Sequence, residues 1–178
     1  MQDTTRTLGK TPSRSPATNT SLRAILLLIG QLNYTWTNTE SLLIHMIAGL
    51  AKVDKETAIV IFLTLNTTRA RIDMVERLSK MQKTTQACRN DVLDATRRLS
   101  EEAKLRNKYN HCIYSFDPDS GLGLTQSMRI FESRDEIKYG KIDKLDGAEM
   151  KRIQGSIDAL VSINHTFWDI TTRYGFPR

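Results

Sequence analysis

Arg106-Asn107-Lys108-Tyr109-Asn110-His111 is the one stretch of this 178-residue chain where a proton-transfer group, a phosphate-binding cation and polar orienting groups are crowded together. An imidazole gives or takes a proton near neutral pH. A guanidinium presents a fixed fork of donors suited to phosphate oxygens, and an asparagine amide can orient either group. The types suit acid–base work on an anionic substrate, and their value depends on how the chain holds them.

Arg106 and His111 are separated by four residues. Side chains five apart on an ideal helix diverge by about 140°, so the pair does not converge within one unbroken helix. Either the helix loosens before His111, or two copies of the motif meet across a two-fold interface, which would gather two sets of Arg, Asn and His in one basic cleft. Asn107 and His111 share a face, so Asn107 can orient the imidazole. Arg106 continues a seven-residue stripe with Val92, Leu99 and Ile113, which turns it toward a core or a partner helix, where a guanidinium is costly unless it is paired or used. The structural alternative for His111 is a helix C-cap, where an imidazole meets the last carbonyls.

Charge supports an anionic partner. Of the net +6, residues 69–108 hold 11 Lys or Arg against 6 Asp or Glu, and this surplus leads straight into the motif. A nucleic-acid backbone is the commonest partner for such a surplus. A solvated helix surface of mixed charge is the bland alternative.

The positioning elements read as mainly helical. Residues 1–20, rich in Thr, Ser, Pro and basic side chains, are expected to form a disordered basic tail, and residues 21–178 a single domain. Leu22, Ile25, Leu26, Ile29, Leu32, Trp36, Leu43, Ile47 and Leu50 follow the three-and-four spacing of one helix face, with a bend expected near Thr35–Thr39. A capped helix starts at Asp54, another spans Thr67–Met81 with Ile72, Val75 and Leu78 inward, and a third runs from about Thr85 to His111. After a turn cluster at Asp117-Pro118-Asp119-Ser120-Gly121, the alternation of Leu124, Gln126, Met128 and Ile130 predicts a strand. A turn at Ser133-Arg134-Asp135 and a partner strand over 137–142 complete a small hairpin. A last helix covers about 148–174. The fold class is therefore all-α, an antiparallel helical bundle with a small β-hairpin inserted before the C-terminal helix.

Other chemistries find little footing. Cys88 and Cys112 form no CxxC pair and no zinc-spaced cluster, so neither a disulfide framework nor a metal site is indicated, and no cofactor is expected. Gly121-Leu122-Gly123 is too sparse for a phosphate loop. The apolar run Ala24–Ile29 is too short to span a bilayer and lacks a cleavage site, so no membrane contact is expected, and with only two cysteines a reducing, cytoplasmic compartment is the simplest reading. Cys112 reads as a packed thiol, and His45 and His165 as packing or surface histidines. Glu40 falls on the apolar stripe between Trp36 and Leu43. A carboxylate there needs a cation, and Arg69 or Arg71, with Asp73 close by, are the candidates for a structural ion pair.

The Arg-Asn-x-x-x-His run near the end of a long helix, in a helical bundle and followed by Tyr114, resembles the HEPN superfamily (higher eukaryotes and prokaryotes nucleotide-binding). Its signature is an Arg, usually a polar residue next, and a His four to six residues later. The bundle-level likeness covers about residues 22–174; the specific part is the six-residue motif. A related HEPN subset carries a Tyr two residues after the His, where this chain has Ile113. The resemblance implies a homodimeric, metal-independent endoribonuclease with Arg106 and His111 as catalytic pair and Asn107 supporting them; Lys108, Tyr109, Asn110 and Tyr114 are candidate supporting residues. In such cleavage the 2′-hydroxyl attacks phosphorus, His111 acts as general acid or base and Arg106 stabilises the phosphorane charge. The partners implied are RNA, a second copy, and an antitoxin or nucleotidyltransferase of a toxin or defence system. Some HEPN domains are catalytically silent modules that bind nucleotide, RNA or protein, which is the alternative reading.

Overall fold

A computed structural model describes residues 16–117 and 123–178. Among these are six helices and five short strands: α1 (Pro16–Ser41), α2 (Leu43–Ala51), α3 (Lys55–Thr64), α4 (Thr68–Ser79), α5 (Gln86–Asn110), β1 (Cys112–Phe116), β2 (Gly123–Ser127), β3 (Ile130–Glu132), β4 (Ile137–Tyr139), β5 (Ile142–Leu145) and α6 (Gly147–Arg173). The protein is mostly helical with small antiparallel sheets. Residues 1–15 of the expected tail, most of the turn cluster after Asp117, and Gly121 and Leu122 lie outside the described residues. The described part of α1 begins at Pro16, inside the segment read as tail.

Helix starts follow local side-chain chemistry. Asp54, Thr67, Thr85 and Asp146 each accept a hydrogen bond from the backbone N–H three residues on, at 2.7, 3.1, 3.3 and 3.0 Å, satisfying donors that the first turn leaves free. The expected bend near Thr35–Thr39 falls instead at Leu42, between α1 and α2. The Thr39 hydroxyl donates to the Thr35 carbonyl and the Ser41 hydroxyl to the Asn38 carbonyl, both at 2.8 Å. Such back-bonding loosens a helix, and the Leu42 N–H then reaches Thr39 O at 3.2 Å in a tighter turn.

α6 lies along α1 and α5, α4 packs between α2 and α5, and α2 supports α3. The buried centre is built from Ile25, Leu32 and Trp36 of α1, Val92 and Leu99 of α5, and Ile153, Leu160 and Phe167 of α6. Trp168 of α6 is partly exposed and packs at 5.1 Å on the His45 ring, whose Nδ1 meets Pro177 O at 2.7 Å. His45 is thus a packing residue, and His165 is exposed.

The single hairpin is a correction. β1, β2 and β5 form a three-stranded antiparallel sheet, and β3 pairs with β4 as a separate hairpin, Ile130 opposite Tyr139. β1 leaves directly from the end of α5, so Ile113, placed on the helical stripe by its spacing, lies in a strand and is exposed. The strand pairings join residues far apart in sequence, which a local period does not reveal.

Glu40 is a buried junction. It accepts from Trp36 Nε1 at 3.1 Å and Thr68 Oγ1 at 2.6 Å, and pairs with Arg71 Nη1 at 3.2 Å. Arg71 Nε also donates to the Phe62 and Leu65 carbonyls at 3.2 and 3.0 Å, and its guanidinium lies 4.1 Å from the Phe62 ring centre. One ion pair therefore ties α1, the end of α3 and α4 together. Arg69 and Asp73 are not in it; they form an exposed pair of their own at 2.8 Å, worth about 0.3–0.5 kcal/mol. Glu40→Ala, which strands the Arg71 cation, is expected to lower the urea unfolding free energy by about 3 kcal/mol. Glu40→Gln should lose less. A midpoint unchanged in Glu40→Ala would contradict the junction's role.

Candidate functional site

The last three turns of α5 present three faces to three different neighbours. Lys104, Asn107, Lys108 and His111 recur at helical spacing on the side facing the sheet. Leu105 and Tyr109 are buried, and Tyr109 meets α6 at Glu149. Arg106 and Asn110 turn toward α1. The helix ends at Asn110, and His111 takes a non-helical φ of −126° while its N–H still bonds to Asn107 O. His111 O accepts from Met128 N at 3.0 Å, which anchors this helix end to the chain leaving β2. The C-cap placement and an exposed imidazole thus coexist.

Between this face and the sheet lies a cleft of about 460 Å³, within the size range of small-ligand sites. α5 and the helix end contribute Lys104, Asn107, Lys108 and His111; the sheet side contributes Cys112, Thr125, Ser127, Arg129, Lys141 and Asp143. Four cations and an imidazole thus face one carboxylate. Lys108 pairs with Asp143 at 3.2 Å and Lys141 with the same carboxylate at 2.9 Å. Lys104 and Arg129 have no ion-pair partner among the described residues, so their charge is open to an incoming anion. The Cys112 thiol, half-buried, donates to Tyr109 O at 3.6 Å.

Lys108 fixes the floor. Its ammonium reaches Glu149 at 2.6 Å, and the buried Tyr109 hydroxyl donates to the same carboxylate oxygen. Burial alone would lower Lys108, but its hydrogen bonds with Glu149 and Asp143 outweigh that and hold it above the usual lysine range. Burial would likewise raise Glu149; Lys108 and Tyr109 overcome it and hold the carboxyl below its usual value. Hydrogen bonds from Lys141 and Lys108 lower Asp143. Burial and then Glu149 push the Tyr109 phenol well upward. Tyr114 donates to Tyr109 O at 2.6 Å and, pushed upward mainly by burial, stays a neutral donor. Lys108, Tyr109 and Tyr114 are therefore supports of the cleft.

Arg106 does not line the cleft. Its guanidinium carbon sits 5.6 Å from the centre of the Trp36 ring. With the Asn110 amide oriented to suit its neighbours, the amide oxygen accepts from Arg106 Nε and Nη2 at 2.9 and 3.0 Å, and the amide nitrogen donates to Asn33 Oδ1 at 2.8 Å. Arg106 Nη1 donates to Asn107 Oδ1 at 3.1 Å. The sequence pair is thus split between two faces, with Asn107 between them.

Sequence reasoning passed over Lys104, Asn33, Thr125, Ser127, Arg129, Lys141, Asp143 and Glu149. Lys104 had a signal, seven residues before His111 and so on the same face. The others had none, because strand pairing and helix packing bring them in. A larger cavity, about 520 Å³, opens at the far end between α2, the start of α5 and the C-terminal residues. Its walls, such as Leu50, Val53, Cys88 and Phe176, are mostly apolar, and it contains no histidine or carboxylate, so acid–base chemistry points to the smaller cleft. Among the described residues, no helix is long and apolar enough to cross a membrane.

Comparison with protein-family models, with curated proteins and with solved structures gave no match.

A pH test follows from the cleft floor. Because the folded-state value of Glu149 is depressed, its contribution is present above its unfolded value of about 4.3 and is lost as pH falls through the folded value. The difference in urea midpoint between wild type and Glu149→Gln should be steady from about pH 6 to 8 and shrink below about pH 4. A difference that persists undiminished in acid would contradict the Lys108–Glu149 linkage.

Proposed function

We propose that this chain is a HEPN-type, metal-independent endoribonuclease that takes the RNA backbone into the cleft between α5 and the sheet. The observation supporting it is the convergence of His111 and Asn107 with Lys104 and Arg129, two cations without an ion-pair partner among the described residues, around one open cleft. Each phosphate seated there would release condensed counterions, so binding should weaken steeply with salt.

In this reading His111 takes the proton of the 2′-hydroxyl as it attacks the adjacent phosphorus, or returns one to the departing 5′-oxygen. The cations and amide donors stabilise the charge that builds on the phosphorane oxygens. The protein acts as a homodimer through the helix bearing Arg106, in the cytoplasm, with an antitoxin or nucleotidyltransferase as cognate partner. Its helices form the antiparallel bundle of that superfamily.

A second reading has its own observation. The Arg106 guanidinium is directed to Trp36 and Asn110, away from His111, which suits a catalytically silent module that binds RNA without cutting it.

Incubation with total RNA in EDTA separates the two. The nuclease reading expects products ending in 2′,3′-cyclic phosphate, with the rate lowered about 10²–10⁴-fold in His111→Ala. Salt-sensitive RNA binding with no cleavage would establish the silent module. Cleavage that EDTA abolishes, or that His111→Ala leaves intact, would overturn the assignment.

A further inference from the structure

We propose that Arg106 is a positioning residue that acts through Asn107, turning the Asn107 amide nitrogen into the cleft as a hydrogen-bond donor to a phosphodiester oxygen. The inference rests on the reading that the cleft takes RNA backbone.

A guanidinium has five donors and no acceptor. The Asn107 atom that meets Arg106 Nη1 at 3.1 Å is therefore its amide oxygen. That contact decides the orientation of the whole planar amide: with Oδ1 captured on the α1 side, the Nδ2 group faces the other way. Asn107 lines the cleft beside His111, and Nδ2 has no protein partner among the described residues. Two N–H donors are thereby offered where an anion would sit, one helical turn from the imidazole.

The guanidinium is itself held by neutral groups. Asn110 takes Nε and Nη2, Asn33 on α1 fixes Asn110, and Asn33 Nδ2 is tied in turn to Ile29 O at 3.1 Å. Trp36 covers the guanidinium face. No carboxylate pairs with Arg106 among the described residues. With no carboxylate competing for it, the guanidinium polarises the Asn107 amide, and a polarised amide is a stronger donor than a free one. The arrangement is a relay of hydrogen bonds from α1 through Asn110, Arg106 and Asn107 to the phosphate.

A direct-contact role for Arg106 and this relay differ in how two substitutions combine. The probe is a fluorescent RNA 12-mer, 2′-O-methylated throughout so that it cannot be cut, titrated by anisotropy into wild type, Asn107→Asp, Asn107→Ala, Arg106→Gln and the double variant Arg106→Gln/Asn107→Ala. The relay expects Asn107→Asp to weaken binding at least about tenfold, because it sets carboxylate oxygens where the donors were. It expects the urea midpoint of that variant to be unchanged or higher, since Asp pairs with Arg106. A merely structural role for Asn107 would not separate those two readouts. It also expects the double variant to bind no more weakly than Asn107→Ala alone. Additive losses, or Asn107→Asp binding like wild type, would overturn the relay and leave RNA binding standing. Wild type failing to bind the 12-mer at low salt would remove the cleft reading and the relay with it. Asn107 is exposed, so its variants keep the test open even where Arg106→Gln does not fold.

Discussion

An α-helix turns about 100° per residue, and that rotation governs everything at the end of α5. Five residues carry the direction of a side chain about 140° beyond one full turn, so Arg106 and His111 leave on different faces. α1 receives one and the sheet receives the other. The face between α5 and α6 is then occupied by Tyr109, buried and bonded to Glu149. Each face has its own neighbour, and the cleft exists because the face with Lys104, Asn107, Lys108 and His111 is the one that the helices leave uncovered and the sheet closes over.

The surrounding elements serve to hold that rotation in register. Glu40 and Arg71 lock α1 to α4, which sets Trp36, and Trp36 sets the guanidinium of Arg106. Lys108 bridges to α6 through Glu149 and to β5 through Asp143, so the sheet wall cannot drift from the helix without breaking an ion pair. Polar groups inside the fold are thus spent on geometry around the cleft, while hydrophobic contact between α1, α5 and α6 supplies the bulk of the cohesion. A buried carboxylate paired with a cation contributes modest net stability; its value here is that it fixes where Trp36 stands.

Helices were legible in the chain because a 3.6-residue period repeats locally. Val92 and Leu99 announce the buried side of α5, and Thr85 and Asp54 announce helix starts through the groups they satisfy. The six residues from Arg106 to His111 were legible as chemistry, and the divergence of the pair followed from helix geometry. Ile113 shows where a period misleads: it keeps the seven-residue spacing yet belongs to a strand, because the helix stops at Asn110. The cleft's far wall was not legible. Arg129, Lys141 and Asp143 reach it only through the pairing of β1 with β2 and β2 with β5, and pairing depends on contacts between segments rather than on composition within one. The choice of Arg71 over Arg69 for Glu40 likewise required the packing angle between α1 and α4.

The central claim is that the cleft beside His111 is where a phosphodiester backbone binds. Its most direct measurement is a heteronuclear NMR titration of the labelled protein with a short 2′-deoxy oligonucleotide, which binds as backbone but offers no 2′-hydroxyl for cleavage. The account predicts that the largest shifts fall on Lys104, Asn107, His111, Arg129 and Lys141, spanning both walls and fading as salt is raised. Shifts confined to the distant cavity around Val53 and Cys88, or no shifts at low salt, would contradict it.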